Sequence, residues 1–331
     1  MHVLVTGGAG FIGTNFIRYV MTEQPDVRIT NLDALTYAGN RASLEGFEHD
    51  PRYRFVHGDI CDASVVDAVM AEVDAVVNFA AESHVDRSID GAGEFLRTNV
   101  SGAGVVFEAA RRHEIARVLH ISTDEVYGSI AAPASFHETD ALEPNSPYSA
   151  SKAAADLLAR SYRETYGFPI TVTRTTNNFG PYQYPEKVIP LFVTNLFDGG
   201  AVPLYGDGSN VRDWLYVIDN AEAQWRVLVD GEPGEIYNVG AANELSNLQL
   251  THAILERLGL GADRIRHVPD RPGHDQRYSV DTAQIRALGW QPRTDFETAL
   301  DATIAWYRDN PSWWRPLKEL GASARRGTAM S

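Results

Sequence analysis

Residues 2–6 (His-Val-Leu-Val-Thr) form a short apolar run that breaks into Gly7-Gly8-Ala9-Gly10-Phe11-Ile12-Gly13, and an amphipathic stretch from Phe11 to about Glu23 follows at once. Glycines at these spacings, between a β-like run and a helical one, restrict the chain to a strand, a tight turn and a helix packed back on the strand. Gly7 permits the turn, Gly10 leaves room for a ligand to reach the backbone, and Gly13 lets helix and strand approach closely. The helix N-terminus so formed offers unpaired amides and the positive end of its dipole, which suits the pyrophosphate of a dinucleotide. A second strand, Arg28 to Leu32, ends in Asp33, twenty residues after Gly13. A carboxylate there binds ribose hydroxyls and repels a 2′-phosphate, so the pattern favours NAD over NADP.

The alternation continues. Tyr53 to His57 reads as a strand ending in Gly58-Asp59-Ile60, with Asp59 placed to face an adenine. A helix over about Ala63 to Ala71, a strand from Ala75 to Phe79, a helix over about Gly93 to His113 and a strand from Arg117 to Ser122 come next. A helix from Pro147 to Gly167 and a strand from Ile170 to Arg174 complete the series. Strands alternating with helices predict a parallel, doubly wound sheet. After Arg174 the rhythm changes. Residues 176–187, Pro203 to Gly208 and Val211 to Trp214 are polar, aromatic and turn-rich, and read as binding loops. Residues 215–240 read as a helix and a strand returning to the sheet, and the remainder, with Asp270 to Asp275 in a loop, as a smaller lobe over the strand C-termini. The expected fold is therefore α/β: a Rossmann-type doubly wound parallel sheet with a smaller, discontinuous C-terminal substrate-binding lobe. Residues 1–176 with about 215–242 make the first domain, 177–214 with 243–320 the second, and 321–331 a frayed tail.

Reactive side chains concentrate between Ser122 and Lys152. Tyr148 and Lys152 stand four apart, after Ser146-Pro147 and ahead of an Ala-rich run, at the start of a helix that sets both on one face. A phenol ionises near pH 10, and an adjacent ammonium lowers that value, so the pair is suited to act as general base on a substrate hydroxyl. Thr123 offers a hydroxyl to the same oxygen. Asp124 and Glu125 add two carboxylates where the apolar strand Val118-Leu119-His120-Ile121 leaves the sheet. Tyr-x-x-x-Lys alone is common on solvated helices; it gains weight here from the cofactor site that precedes it.

The chain carries a formal net charge of −15 with a sequence pI near 5.1, which argues against nucleic acid or an anionic membrane as partner. An anionic substrate must then find a local basic site. One cysteine, Cys61, excludes an intrachain disulfide framework, and the ten histidines show no metal-ligand spacing, so no metal is expected. No apolar run reaches membrane-spanning length and no basic leader precedes Val3-Leu4-Val5, so a cytoplasmic protein is expected. Ser83, His84 and Asp86 are neighbours on one stretch, an arrangement that rarely aligns as a hydrolytic triad. Trp306-Tyr307 and Trp313-Trp314 read as packing at a helix end.

The glycine turn, Asp33, Asp59-Ile60, Thr123 and Tyr148-x-x-x-Lys152 resemble an extended short-chain dehydrogenase/reductase. Four further stretches narrow the likeness: residues 80–88 (Ala-Ala-Glu-Ser-His-Val-Asp-Arg-Ser), 122–128 (Ser-Thr-Asp-Glu-Val-Tyr-Gly), 177–182 (Asn-Asn-Phe-Gly-Pro-Tyr) and 271–275 (Arg-Pro-Gly-His-Asp). Together they are similar to the dTDP-glucose 4,6-dehydratases, over residues 1 to about 320. Thr175-Thr176 and Phe179 depart from that pattern without touching its catalytic set. The resemblance implies a homodimer, paired through helices near 93–113 and 147–166, that turns dTDP-glucose into a 4-keto-6-deoxy sugar using tightly held NAD. It implies Thr123, Asp124, Glu125, Tyr148 and Lys152 as catalytic residues, with Tyr148 as base at the 4-hydroxyl, Glu125 as base at C5 and Asp124 as acid at the 6-hydroxyl. NAD would meet Gly7, Gly10, Phe11, Ile12, Gly13, Asp33, Ala34, Leu35, Thr36, Asp59, Ile60, Phe79, Ala80, Ala81, Ser83, Thr98, Tyr148, Lys152 and Asn178. The nucleotide sugar would meet His84, Thr123, Asp124, Glu125, Asn177, Lys187, Val188, Pro203, Tyr205, Arg212, Asn247, Asp270, Arg271 and His274. A nucleotide-sugar epimerase or decarboxylase of the same family shares the cofactor site but has no need of the acid pair. A non-catalytic NAD-sensing protein would have lost a glycine or the Tyr-Lys pair, and none is lost here.

Overall fold

The structure is a computed structural model of the chain; it describes the backbone of residues 1–328 and the side chains through Leu320. Seven strands make the central sheet: β1 (His2–Thr6), β2 (Arg28–Asp33), β3 (Tyr53–His57), β4 (Ala75–Asn78), β5 (Arg117–Thr123), β6 (Thr171–Thr175) and β7 (Ile236–Val239). They lie in the order β7-β6-β5-β4-β1-β2-β3, all paired in parallel. Helices cover both faces, which is why β1 reads as an unbroken apolar run. Its side chains alternate between two cores: Val3 and Val5 pack with Phe16, Ile17 and Val227 on one face, Leu4 with Val76, Phe107 and Ala155 on the other. Strand order reverses between β1 and β4, and the carboxyl ends on either side of that reversal open the crevice where ligands of such sheets bind.

The helix Pro147–Tyr166 begins with a reciprocal Ser146–Ser149 capping box and Pro147 in its first turn, and ends at Gly167 in the left-handed region, φ 64°. The helix expected over residues 93–113 is interrupted. Its middle, Leu96–Gly102, is a π-helical turn between Gly93–Phe95 and Ala103–Arg112.

The stretches read from sequence as binding loops contain strands. Asn177–Phe179, Val211–Tyr216 and Glu244–Ser246 form a three-stranded sheet, and Val202–Tyr205 pairs with Ile265–Val268. The reason is tertiary: Phe179, Trp214 and Val202 are buried in a third core with Phe192, Leu250 and Tyr307, so short polar segments become strands by packing. Ile285 and Trp290, in a stretch the sequence assigns to the second lobe, pack instead in the first core beside Tyr237 and Val239. The last helix runs Pro311–Thr328, so the chain after Leu320 continues as helix where a frayed tail was expected; residues 329–331 lie outside the described residues. Among the described residues no helix is long and apolar enough to cross a membrane, and no group of three or more His, Cys, Asp or Glu side chains is arranged to hold a metal ion.

Candidate active site

A cavity of about 330 Å³ lies over the carboxyl ends of the strands, and its wall includes the glycine turn, Asp33, Glu125, Tyr148 and Lys187. The turn is tight for a reason that is local. A Cβ on Gly7 (φ +70°) would stand 2.6 Å from the Ala80 backbone, and one on Gly13 2.5 Å from the Gly7 carbonyl oxygen. A Cβ on Gly10 would meet only the Gly7 carbonyl oxygen, at 3.3 Å, so its other side is open to the cavity. No side chain caps the helix Phe11–Glu23, which leaves its first-turn amides to a ligand. Asp33 is 7% exposed; one carboxylate oxygen accepts from the Ala9 amide (2.8 Å) and the other from the Leu35 amide (2.7 Å). Burial pushes its pKa up and the two amides oppose this. Asp33 therefore fixes the glycine turn as well as presenting its remaining lone pairs to the cavity.

Of the residues expected to meet a dinucleotide, all but Leu35 lie on the cavity wall. Leu35 adopts a positive φ of 50° and contributes its amide to Asp33. Asp59 is engaged by the Cys61 amide (2.8 Å) and by Arg97 (2.6 Å). Thr98 reaches the wall from the π-helical turn. Asn177 and Asn178 also lie on it, each with a buried side-chain oxygen that has no partner. Uncapped amides, a glycine floor, a buried carboxylate at a strand end and unpartnered amide oxygens fit a dinucleotide such as NAD.

The candidate catalytic groups converge from β5 and the helix Pro147–Tyr166. Thr123 ends the strand; its hydroxyl accepts from the Glu125 amide (3.3 Å) and donates to Asp124 Oδ1 (3.2 Å), which folds Asp124 and Glu125 into a 3-10 turn, Asp124–Tyr127. The Thr123 hydroxyl also faces the Tyr148 phenol and opposes the upward push that burial gives it. The Tyr148 amide, an end-of-helix donor, is taken up by Ser88 Oγ (3.1 Å). Lys152 donates from Nζ to the Ile121 carbonyl (2.7 Å).

The acid pair is split electrostatically. Burial, then Glu125, holds the Asp124 carboxyl well above its usual range, against Arg212; its Oδ2 is buried without a partner. Burial also raises Glu125, but Arg271, Arg212 and Lys187 all oppose it. The arrangement favours a protonated Asp124 beside an ionisable Glu125. The phenol departs from the sequence expectation. Burial first, then Glu125, pushes Tyr148 upward, not down. Burial lowers Lys152 to about 8, with Asp156 opposing. The local reasoning counted the ammonium and left out the enclosure and the two carboxylates that folding brings beside the ring.

Of the residues expected to hold the nucleotide sugar, Thr123, Asp124, Glu125, Asn177 and Lys187 lie on the cavity wall, and the other nine do not line it. Lys187 Nζ donates to the Ser83 carbonyl (2.9 Å). Arg271 donates to Asp86 (3.3 Å) while its buried Nε has no partner, and the Tyr205 hydroxyl donates to the same carboxylate (3.1 Å). His274 pairs with Asp270 (2.7 Å) and meets the Tyr205 ring edge-on. Arg212 donates to the Asp275 carbonyl (2.9 Å) and lies 4.1 Å over the Tyr278 ring. His84 caps the helix Val85–Asp90. Val188 and Asn247 begin the helices Val188–Phe197 and Asn247–Arg257, and Pro203 lies in the strand that carries Tyr205. Sequence reasoning missed Tyr37, Glu82, Arg97 and Glu186, all on the wall; Tyr37 four residues after Asp33 and Glu186 next to Lys187 were the only signals.

The sequence pattern of the GDP-mannose 4,6 dehydratase family matches residues 4–303. The chain is 54% identical over 323 residues to a dTDP-glucose 4,6-dehydratase of Streptomyces niveus, covering 96% of each. This chain belongs to the dTDP-glucose 4,6-dehydratase family. A crystal structure of a dTDP-glucose 4,6-dehydratase from Streptomyces venezuelae, with NAD bound, superposes with a TM-score of 0.94 at 53% identity, over 96% of this chain and 100% of that one. A low-salt glycan biosynthesis protein of Haloferax volcanii is 55% identical over 307 residues, 93% of this chain and 98% of that one. Within the dehydratase family, then, close likeness extends to a differently named protein, and the chemistry has to be argued from the site.

Proposed function

We propose that this chain is an NAD-dependent hydro-lyase that converts dTDP-glucose to dTDP-4-keto-6-deoxyglucose by oxidation at C4, loss of water across C5–C6 and reduction at C6. NAD, when bound, supplies the hydride acceptor for the first step, the hydride donor for the last and a positively charged ring. Gly7, Gly10 and the helix start at Phe11–Gly13 would hold its pyrophosphate, Asp33 its ribose, and Asn178 the nicotinamide side. Tyr148 takes the proton of the sugar 4-hydroxyl as its phenolate, which burial alone disfavours; Thr123 orients the ring, and the Lys152 ammonium with NAD's positive ring would offset the phenolate's charge. A ketone at C4 acidifies C5. Glu125 then takes the C5 proton while Asp124 gives its own to the departing 6-hydroxyl, so that a C–H and a C–O bond break to leave an alkene conjugated with the ketone, and water. Glu125 afterwards returns a proton to C5. Lys187, Arg212, Asn247, Arg271 and His274 hold the nucleotide diphosphate, a local basic site in an acidic chain. Residues 1–176 with about 215–242 and the stretch around Ile285 and Trp290 form the cofactor domain, and 177–214 with the rest of 243–320 the nucleotide-sugar domain. The protein works in the cytoplasm, in deoxysugar biosynthesis, as a homodimer joined along the helices near 93–113 and 147–166; exposed Leu96 and Leu157 support that face.

One observation carries this reading: adjacent carboxyls on a single turn beside Tyr148, Asp124 buried and pushed well upward, Glu125 half-buried with Arg271, Arg212 and Lys187 opposing its rise. An epimerase or decarboxylase has no task for them. Reaction in heavy water should place one solvent deuterium at C5 of the product, and Glu125→Gln should oxidise C4 yet release no water. Product without deuterium at C5, or normal water loss in Glu125→Gln, would overturn the assignment.

A further inference from the structure

Three side chains at the cavity have no task in the chemistry above. Tyr37 follows β2 by four residues, Glu186 precedes Lys187, and Arg87 lies on the short helix Val85–Asp90 after β4; Tyr37 and Glu186 are on the cavity wall. The Arg87 guanidinium carbon stands 3.7 Å from the centre of the Tyr37 ring, and its Nη2 donates to Glu186 Oε2 at 3.0 Å. Arg87 is 42% exposed but Glu186 only 9%, so the contact marks the boundary between cavity and solvent. Burial, then Glu186, pushes the Tyr37 phenol upward, which leaves a neutral ring under the cation. His84 Nε2 lies 3.8 Å from the same carboxylate, but burial and Lys187 lower its pKa to about 4, so it does not compete with Arg87 for the charge.

An exposed ion pair holds little by itself. Here the carboxylate is buried and the cation lies between it and an aromatic face, which strengthens both contacts. The three partners also come from three segments: the loop after Asp33, the helix after β4, and the stretch that leads into the third core. We propose that Tyr37, Arg87 and Glu186 form a strap across the mouth of the cavity that sets the rate at which NAD leaves. The proposal rests on the NAD-dependent reading above. It also suits that chemistry: a hydride removed at C4 and returned at C6 leaves the cofactor unchanged at the end of a turnover, so the protein gains from retention and has no need of exchange.

The test is release of labelled NAD from the loaded, full-length protein into an excess of unlabelled NAD. Arg87→Ala, and independently Tyr37→Leu, which leaves the ion pair intact, should release the label about tenfold faster. Arg87→Lys, keeping the charge but losing the flat face, should fall between Arg87→Ala and the unaltered protein. Reversing the pair, Arg87→Glu with Glu186→Arg, should release more slowly than Arg87→Glu alone. Wild-type release rates in both Arg87→Ala and Glu186→Gln would overturn the strap alone, and so would a reversed pair no slower than Arg87→Glu. A protein that binds no NAD at all would overturn the cofactor reading and the strap together.

Discussion

The two ends of the cavity are built from different materials. At the Asp33 end the working parts are backbone: the glycine turn, the uncapped amides of the helix Phe11–Glu23, and a carboxylate tied down by two amides within residues 9–35. At the Lys187 end they are side chains, on the wall and behind it, that reach across the fold: Lys187 to Ser83 over 104 residues, Tyr205 to Asp86 over 119 and Asp86 to Arg271 over 185. A backbone site is complete once its own strand, turn and helix form. A site of long-range side-chain contacts exists only after the third core packs, and its charges are already spoken for until an anionic ligand takes them over. The acid pair, with Asp124 buried and Glu125 half-buried, sits between the two ends and draws on both.

That middle position predicts the largest effect. Tyr148→Phe keeps the ring packing against Phe95 and removes the base, so C4 oxidation in a single turnover should slow by about two to four powers of ten. Near-normal oxidation would move the base to another group and detach the middle of the site from the cofactor end.

At the backbone end, Asp33→Ala removes the ribose ligand and leaves the Ala9 and Leu35 amides without their acceptor. Equilibrium binding should show NAD affinity lower by about 10- to 100-fold, the worth of one or two hydrogen bonds to a charge, with the protein still folded. NADP should bind the unaltered protein poorly. Equal affinity for the two cofactors would contradict the carboxylate's role.

At the side-chain end, Arg271→Met should raise KM for dTDP-glucose by about tenfold, the value of a charge-assisted contact. It has a second, sharper readout. Arg271 is the first of the cations that lower Glu125, which must be ionised to take a proton. Without it Glu125 protonates at higher pH, and the acid limb of the kcat/KM profile should move upward. A limb that stays in place while KM rises would confine Arg271 to binding and break the link between the substrate end and the acid pair.

The same contrast explains what the sequence disclosed. β1, the glycine turn, the helix Phe11–Glu23 and the start of the helix at Pro147 were legible because strand, turn and cap signals act within a few residues. The strands Asn177–Phe179 and Val211–Tyr216 were not, because short polar segments become strands only against Phe192, Leu250 and Tyr307 of the third core. The π-helical turn Leu96–Gly102 inserts its extra residue without disturbing an apolar pattern, so it left no trace either. At the site, Asp33 and the Thr123–Asp124–Glu125 run announced themselves as residue types in place. The upward shift of Tyr148 did not, since it depends on burial and on carboxylates twenty-three and twenty-four residues away. Arg87 gave no signal of its contacts with Tyr37 and Glu186, which exist only where three segments meet.

The smallest predicted effect is on stability, and it asks whether the acid pair is held at a cost that the backbone end does not carry. Asp124 is 2% exposed, and burial together with Glu125 and Asp213 raises its pKa against Arg212 and the Thr123 hydroxyl. Above the ordinary carboxylate range the unfolded chain has released this proton while the folded protein still holds it. Folding then takes up a proton, so the contribution of Asp124 to stability falls as pH rises toward its folded value. Asparagine has the same shape and no proton to release. Asp124→Asn should therefore match the unaltered protein most closely at low pH and gain on it as pH rises, by no more than about 1.4 kcal/mol per pH unit, the slope set by one proton. Urea unfolding of both proteins between about pH 4 and pH 8 spans the range in which carboxyls titrate. A gap that narrows with rising pH would mean that Asp124 is ionised in the folded protein, and the proton for the 6-hydroxyl would have to come from elsewhere.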